Sequence, residues 1–315
     1  MKSQTLPETC TSEYFERDKT IIDYEAVYSE EANFTFRGPW PDRLEPGGYF
    51  TCLGAAQTFG CFCKAPYPAL LSERLGIPGL NCGVGGAGAS FFVRKERLID
   101  IANRGSFAIL QVMSARSEDT SAFLTNGLET HQRRTDGQIM TADDAYDSLL
   151  SDEALAAMSI AGRRLFLFRH RPRLTLAIVK EARAAMVQAH LDLLARLTVP
   201  TVLLYFSKRP PRYRARFYRV HALLGDYPQL VTDGMVDQIR SVADAFVSCV
   251  SRRGLPQILR DETTGRPTSI DMVDGKGLHQ ARWKRNLYYP TPEMHEDAAT
   301  ALEPLCQDLL SPQSR

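Results

Sequence analysis

The sequence has no long hydrophobic run. No stretch approaches the ~18–20 uninterrupted apolar residues of a membrane-spanning helix. The first thirty residues, MKSQTLPETCTSEYFERDKTIIDYEAVYSE, are mixed and acidic and lack the apolar centre of a secretory signal, so a cytoplasmic protein is expected. An excess of charge is missing too. Thirty-eight Lys and Arg against 37 Asp and Glu leave +1, which points to no acidic partner and no nucleic acid. The seven cysteines are odd in number and not spaced for metal. Cys61 and Cys63 form only CFC, whereas a structural zinc site favours Cys-x-x-Cys. A disulfide scaffold is not expected in so long a chain, and the cysteines read as small buried apolar residues. No repeat or low-complexity linker is present.

What is present is an alternation of short apolar runs and helical patterns over 315 residues, 44% of them hydrophobic. That is enough to bury a core. GYFTCL (48–53), GLNCGV (79–84), FAILQVM (107–113), TVLLYF (201–206) and QLVT (229–232) read as strands. PALLSERLG (68–76), RKERLIDIANRG (94–105), the long 174–197 pattern, FYRVHALLG (217–225), 234–250 and the closing PEMHEDAATALEPLCQDLL read as helices. The pattern predicts a three-layer, doubly wound α/β fold with a parallel sheet of about five strands. Residues 1–47 read as an N-terminal extension and 48–310 as one domain. An inserted helical segment is expected over 114–172, with a helix across DEALAAMSIAGRRLFLF, and 251–292 reads as irregular.

Ligands of such sheets sit beyond the carboxyl ends of the strands. That rule gathers LGAAQTFG (53–60), GVGGAGAS (83–90), MSARSED (113–119) and FSKRPPRYR (206–214) into one neighbourhood. GVGGAG matches G-x-G-x-x-G, but it follows the second strand and no acidic residue stands about 20 positions on, so no dinucleotide or other cofactor is expected. FSKRPPRYR offers Lys208 and Arg209 at the pocket end of the fourth strand, and these two cations are the predicted anion contacts, set against a solvated loop. GRRLFLFRHRPRL (162–174) is a second basic stretch. THQRRTD, around His131, reads as a solvated charged surface, set against an anion site with Arg133 and Arg134.

Taken in order, these loops resemble those of the SGNH (GDSL-like) hydrolase family, and the terminal YYPTPEMH resembles a bacterial branch ending YYP(S/T)PEMH. The first motif of that family reads LGDSxTFG; here Leu53, Gly54, Thr58 and Gly60 match it. The resemblance implies the flavodoxin-like fold and an esterase or acyltransferase ancestry, acting on a carbohydrate or other ester. It assigns Ala56 to the nucleophile position, Gly83 or Gly86 to the oxyanion hole, Ser117 to the place of an asparagine and His295 to the base. An alanine cannot attack a carbonyl, and Pro292 stands where the aspartate partner of the histidine would be. Two readings follow. In one, His295 works with a displaced nucleophile such as Thr58, or deprotonates the acceptor of an activated anionic donor. In the other, the protein is non-catalytic and binds an anionic saccharide or nucleotide through Gly54, Ala56, the glycine loop, Lys208 and Arg209. Thr58 has a plainer alternative, fixing the turn by a hydrogen bond. No metal site is expected, and the oligomeric state is left open.

Overall fold

The computed structural model describes residues 11–151, 162, 173–273 and 280–311. The centre is a five-stranded sheet of β1 Phe50–Gly54, β2 Gly79–Gly83, β3 Ala108–Gln111, β4 Thr201–Ser207 and β5 Ala245–Val250. The spatial order is β5-β4-β3-β1-β2 and every pairing is parallel. That is the 2-1-3-4-5 order, in which the chain reverses direction across the sheet between β1 and β3.

Alternation along these strands fills both faces. Leu53, Leu110, Leu203 and Tyr205 pack with helices α5 (Glu96–Arg104), α7 (Arg173–Arg196) and α9 (Asp233–Arg240). Cys52, Ile109, Val202, Leu204 and Phe206 pack with α3 (Tyr67–Leu75) and α10 (Pro292–Leu310). Strands buried on both sides read as continuous apolar runs, which is why they stand out in the sequence. The expected three-layer fold is therefore the observed one. All six cysteines among the described residues are free and buried.

Three expectations need correction. QLVT forms no strand; Gln229–Val231 are buried in the loop before α9. The fifth strand lies inside the stretch read as a helix over 234–250. Helix α9 stops at Arg240, and the short β-branched run AFVSCV pairs with β4 instead; so short a run does not show its period. The insertion is not helical throughout. Residues 123–124, 130–133 and 139–141 form an antiparallel sheet, followed by α6 Ala142–Leu150. The expected helix over 152–168 and the basic stretch 162–174 lie outside the described residues, except Gly162, Arg173 and Leu174.

A third apolar cluster caps the carboxyl end of the sheet. It joins Tyr14, Ile22 and Tyr24 near the N-terminus to Ala56 and Phe59, and to Leu259, Ile270 and Tyr289. No helix among the described residues is long and apolar enough to cross a membrane.

Candidate functional site

The turn after β1 is held by three side chains. Gln111 Oε1, at the end of β3, accepts the Ala55 N–H at 3.0 Å and the Thr58 hydroxyl at 2.7 Å. Thr58 Oγ1 also lies 3.0 Å from the Tyr67 hydroxyl. Gly54 is glycine because a Cβ there would stand 2.2 Å from Thr58 Oγ1 and 2.4 Å from Gln111 Oε1. A Cβ on Gly83 would stand 2.2 Å from the Phe59 nitrogen, so Gly83 lets β2 approach helix α2 (Ala56–Phe59). Thr58 is fully buried with its hydroxyl committed, the plainer of the two roles its position suggests.

Beyond the ends of β1 and β3, where the sheet order reverses, lies a cavity of about 660 Å³, a usual size for a small-ligand site. Ala55, Ala56 and Gln57 form its wall from the first loop, Gly86 and Ala87 from the second, and Ser114, Arg116 and Ser117 from the third. The insertion adds Glu129 and Asp143, and the segment before α10 adds Trp283, Tyr288 and Tyr289. Tyr14 and Arg17 reach it from the N-terminal segment read as an extension. Four expected residues thus meet one space or brace it. Ala56 and Gly86 line it, Ser117 lines it while donating to the Gly86 carbonyl at 2.8 Å, and Gly54 lies behind it. Gly86 has φ +72°, a left-handed conformation suited to glycine.

The remaining candidates are committed elsewhere. His295 is fully buried and is not part of the cavity lining. Its Nδ1 accepts the Tyr67 N–H at 3.2 Å, which puts the proton of the neutral ring on Nε2. Nε2 has no partner among the described residues, and the ring meets Phe206 at 5.4 Å. Burial, aided by the Arg37 guanidinium, pushes the His295 pKa down to about 3. Tyr67 stands between Thr58 and His295, its hydroxyl on the first and its backbone N–H on the second. Arg209 donates to the Asp226, Pro210, Pro228 and Val231 carbonyls and staples the loops after β4. Lys208 donates to the Leu287 carbonyl and sits 3.8 Å from Asp226. Neither cation lines the cavity. His131, read as surface, is 1% exposed.

Other polar residues that line the cavity lay outside the expected set. Gln57 Oε1 and Gln229 Oε1 are buried and have no hydrogen-bond partner among the described residues. Gln229 Nε2 donates to the Tyr288 hydroxyl at 3.0 Å. Arg116 holds Glu129 at 3.0 Å and Asp143 at 3.3 Å. Burial opposes its charge, but Tyr288, Glu129 and Asp143 outweigh that and hold its pKa above the ordinary arginine value. Arg116 stands immediately before the Ser117 picked from the same loop, and Tyr288–Tyr289 open the YYP stretch; those positions were the available signals. Among the described residues no three His, Cys, Asp or Glu side chains are grouped to hold a metal ion. A second hollow of about 480 Å³ lies at the edge strand β2, between Pro39, Trp40, Pro66 and Pro78. Its one amide, Asn81, is spent on the Thr58 and Phe59 carbonyls.

Fold and site together define a doubly wound α/β protein with a cavity at the switch point and methyl groups on the turn after its first strand. The chain belongs to the family described as Domain of unknown function (DUF6473), matched over residues 13–310. A similar solved structure is the crystal structure of a Corynascus thermopiles (Myceliophthora fergusii) carbohydrate esterase family 2 (CE2) enzyme plus carbohydrate binding domain. It shares 11% identity, with 87% of this chain and 68% of that chain covered and a TM-score of 0.35, a likeness too distant to carry an argument. Among curated proteins, none matches the chain.

Proposed function

We propose that the cavity binds a hydroxyl-rich, saccharide-like ligand without covalent chemistry at the turn. The observation that carries this is the pair of buried, unpartnered carboxamide oxygens, Gln57 Oε1 and Gln229 Oε1. A buried acceptor without a donor costs about 1–3 kcal/mol, a cost removed when either lining amide turns its oxygen to a ligand hydroxyl. The aromatic walls of Trp283 and Tyr288 suit the apolar faces of a sugar ring. The SGNH-like ancestry, with an esterase or acyltransferase acting on a carbohydrate, is the alternative. It is disfavoured by the Ala56 methyl, the committed Thr58 hydroxyl and the position of His295 behind Tyr67.

The test is calorimetric titration with cellobiose, N-acetylated and deacetylated chitobiose and a uronic-acid disaccharide, run beside a p-nitrophenyl acetate assay. Saturable sugar binding that falls at least about tenfold in the Gln57→Leu, Gln229→Leu double variant supports the reading. Ester turnover abolished by His295→Ala, with no sugar binding, overturns it.

A further inference from the structure

We propose that the open edge of the central sheet, strand β5, pairs antiparallel with β5 of a second copy of this chain, joining the two sheets across a twofold axis at Ser248. The inference is independent of the cavity and of the saccharide reading.

The two edges of the sheet are finished differently. On β2, Ser72 Oγ accepts the Gly79 N–H at 3.2 Å and Asn81 Oδ1 accepts the Gly83 N–H at 3.0 Å. On β5 the ladder to β4 runs through alternate residues, with Ser251 donating to the Ser207 carbonyl at 3.1 Å. The same alternation turns the N–H and C=O groups of Phe246, Ser248 and Val250 away from β4. No strand stands beside them among the described residues. Ser248 is exposed, and so is Val250. Soluble proteins blunt open edges with lysine, proline or a bulge. AFVSCV has no charge and no proline, and its register with β4 is unbroken from Ala245 to Val250.

The strand is complementary to itself. A twofold axis at Ser248 sets Ser248 opposite its copy, Phe246 opposite Val250 and Asp244 opposite Arg252, and each half repeats the other. Each facing pair of outward-turned residues exchanges two N–H···O bonds. Phe246 and Val250 form an aromatic–aliphatic cross-strand pair, and Asp244 and Arg252 an oppositely charged one. Both charges are available. Asp244 is exposed, accepts the Thr201 N–H through Oδ2 at 2.7 Å, and has no ion pair among the described residues. The Arg252 side chain is 68% exposed and reaches Asp226 only at 4.0 Å. Arg240, over the Phe246 ring at 5.7 Å, is already paired with Asp237 at 3.1 Å. Moving the axis to Phe246 or Val250 loses both cross-strand pairs, so sequence and hydrogen bonding select one register. The charge complementarity identifies the occupant as a second copy.

The experiment is sedimentation velocity on wild type, Ser248→Lys and Arg252→Asp at micromolar to submillimolar concentrations, with oxidative cross-linking of Ser248→Cys and Val242→Cys. Wild type should sediment at twice the chain mass. Ser248→Lys sets two like charges face to face on the axis, and Arg252→Asp sets a carboxylate against Asp244. Each should raise the dimer dissociation constant at least about tenfold. Ser248→Cys should give a disulfide-linked dimer. Val242→Cys should not, because Val242 is 58% exposed but lies far from its own copy in this register. A monomeric wild type, a dimer equally tight in both charge variants, or cross-linking at Val242 and not at Ser248 overturns the inference. The substituted side chains are exposed, and far-UV circular dichroism, expected to match wild type, separates lost pairing from lost folding.

Discussion

Gln57 and Thr58 are neighbours on one short helix, and they meet opposite surroundings. Thr58 has spent its hydroxyl on Gln111 and Tyr67, and behind Tyr67 stands His295. Gln57 lines the cavity with a buried carbonyl oxygen that nothing described in the protein satisfies. The difference separates a framework side of the turn from a working side. The residues with the most reactive reputations, threonine and histidine, belong to the framework. A glutamine with no chemistry of its own lines the cavity.

Acid should break the framework side first. His131, His190 and His295 are buried, and burial pushes their pKa values down to about 4, 4 and 3. In the unfolded chain each titrates near its ordinary value of 6.5. Their contribution is present in full above about pH 6.5 and is lost as the pH falls toward 4. Glu118 works in the opposite sense. Burial raises it to about 7, so its folded form prefers the proton, and the stability it adds fades as pH rises from about 4.5 to 7. Between these limits three protons oppose one, a net loss of roughly 3 kcal/mol per pH unit at the steepest point. Urea unfolding across pH 4 to 8 checks the slope; a flat profile would contradict it.

Next in size is Arg209→Ala. It strips donors from four loop carbonyls and should cost about 3 kcal/mol or more in denaturant unfolding. Thr58→Val should cost about 1–2 kcal/mol through the lost hydroxyl bonds. The smallest effect is expected of Ala56→Ser. Adding a hydroxyl there should leave p-nitrophenyl acetate untouched, because His295 is bound behind Tyr67 rather than beside the turn. A measurable rate in that variant would join the two sides that the structure separates.

The fold was legible because its strands are buried on both faces and announce themselves as apolar runs between capped helices. α3 ends at Gly76 and α10 begins at Thr291, both readable as stops and starts. AFVSCV was not legible, because no glycine or proline separates it from helix α9, which ends at Arg240. Half of the site was legible too: the order of the strands gathered Gly54, Ala56, Gly86 and Ser117 at the right end of the sheet. Lys208 and Arg209 met the same rule, but nearby carbonyls claim them. Tyr14, Arg17 and Trp283 were hidden for a different reason. They come from opposite ends of the chain, and the cap of Tyr14, Phe59 and Tyr289 over the turn helps bring those ends together.

The most direct measurement is a paired titration of one disaccharide, deacetylated chitobiose, into Gln57→Leu and Thr58→Val, with the stability of each read in parallel. Gln57→Leu should lose at least about tenfold in affinity while its stability stays within about 1 kcal/mol of wild type. Thr58→Val should lose stability and keep its affinity. The reverse pattern, with binding lost at Thr58 and kept at Gln57, would contradict the division of the turn into a framework side and a working side.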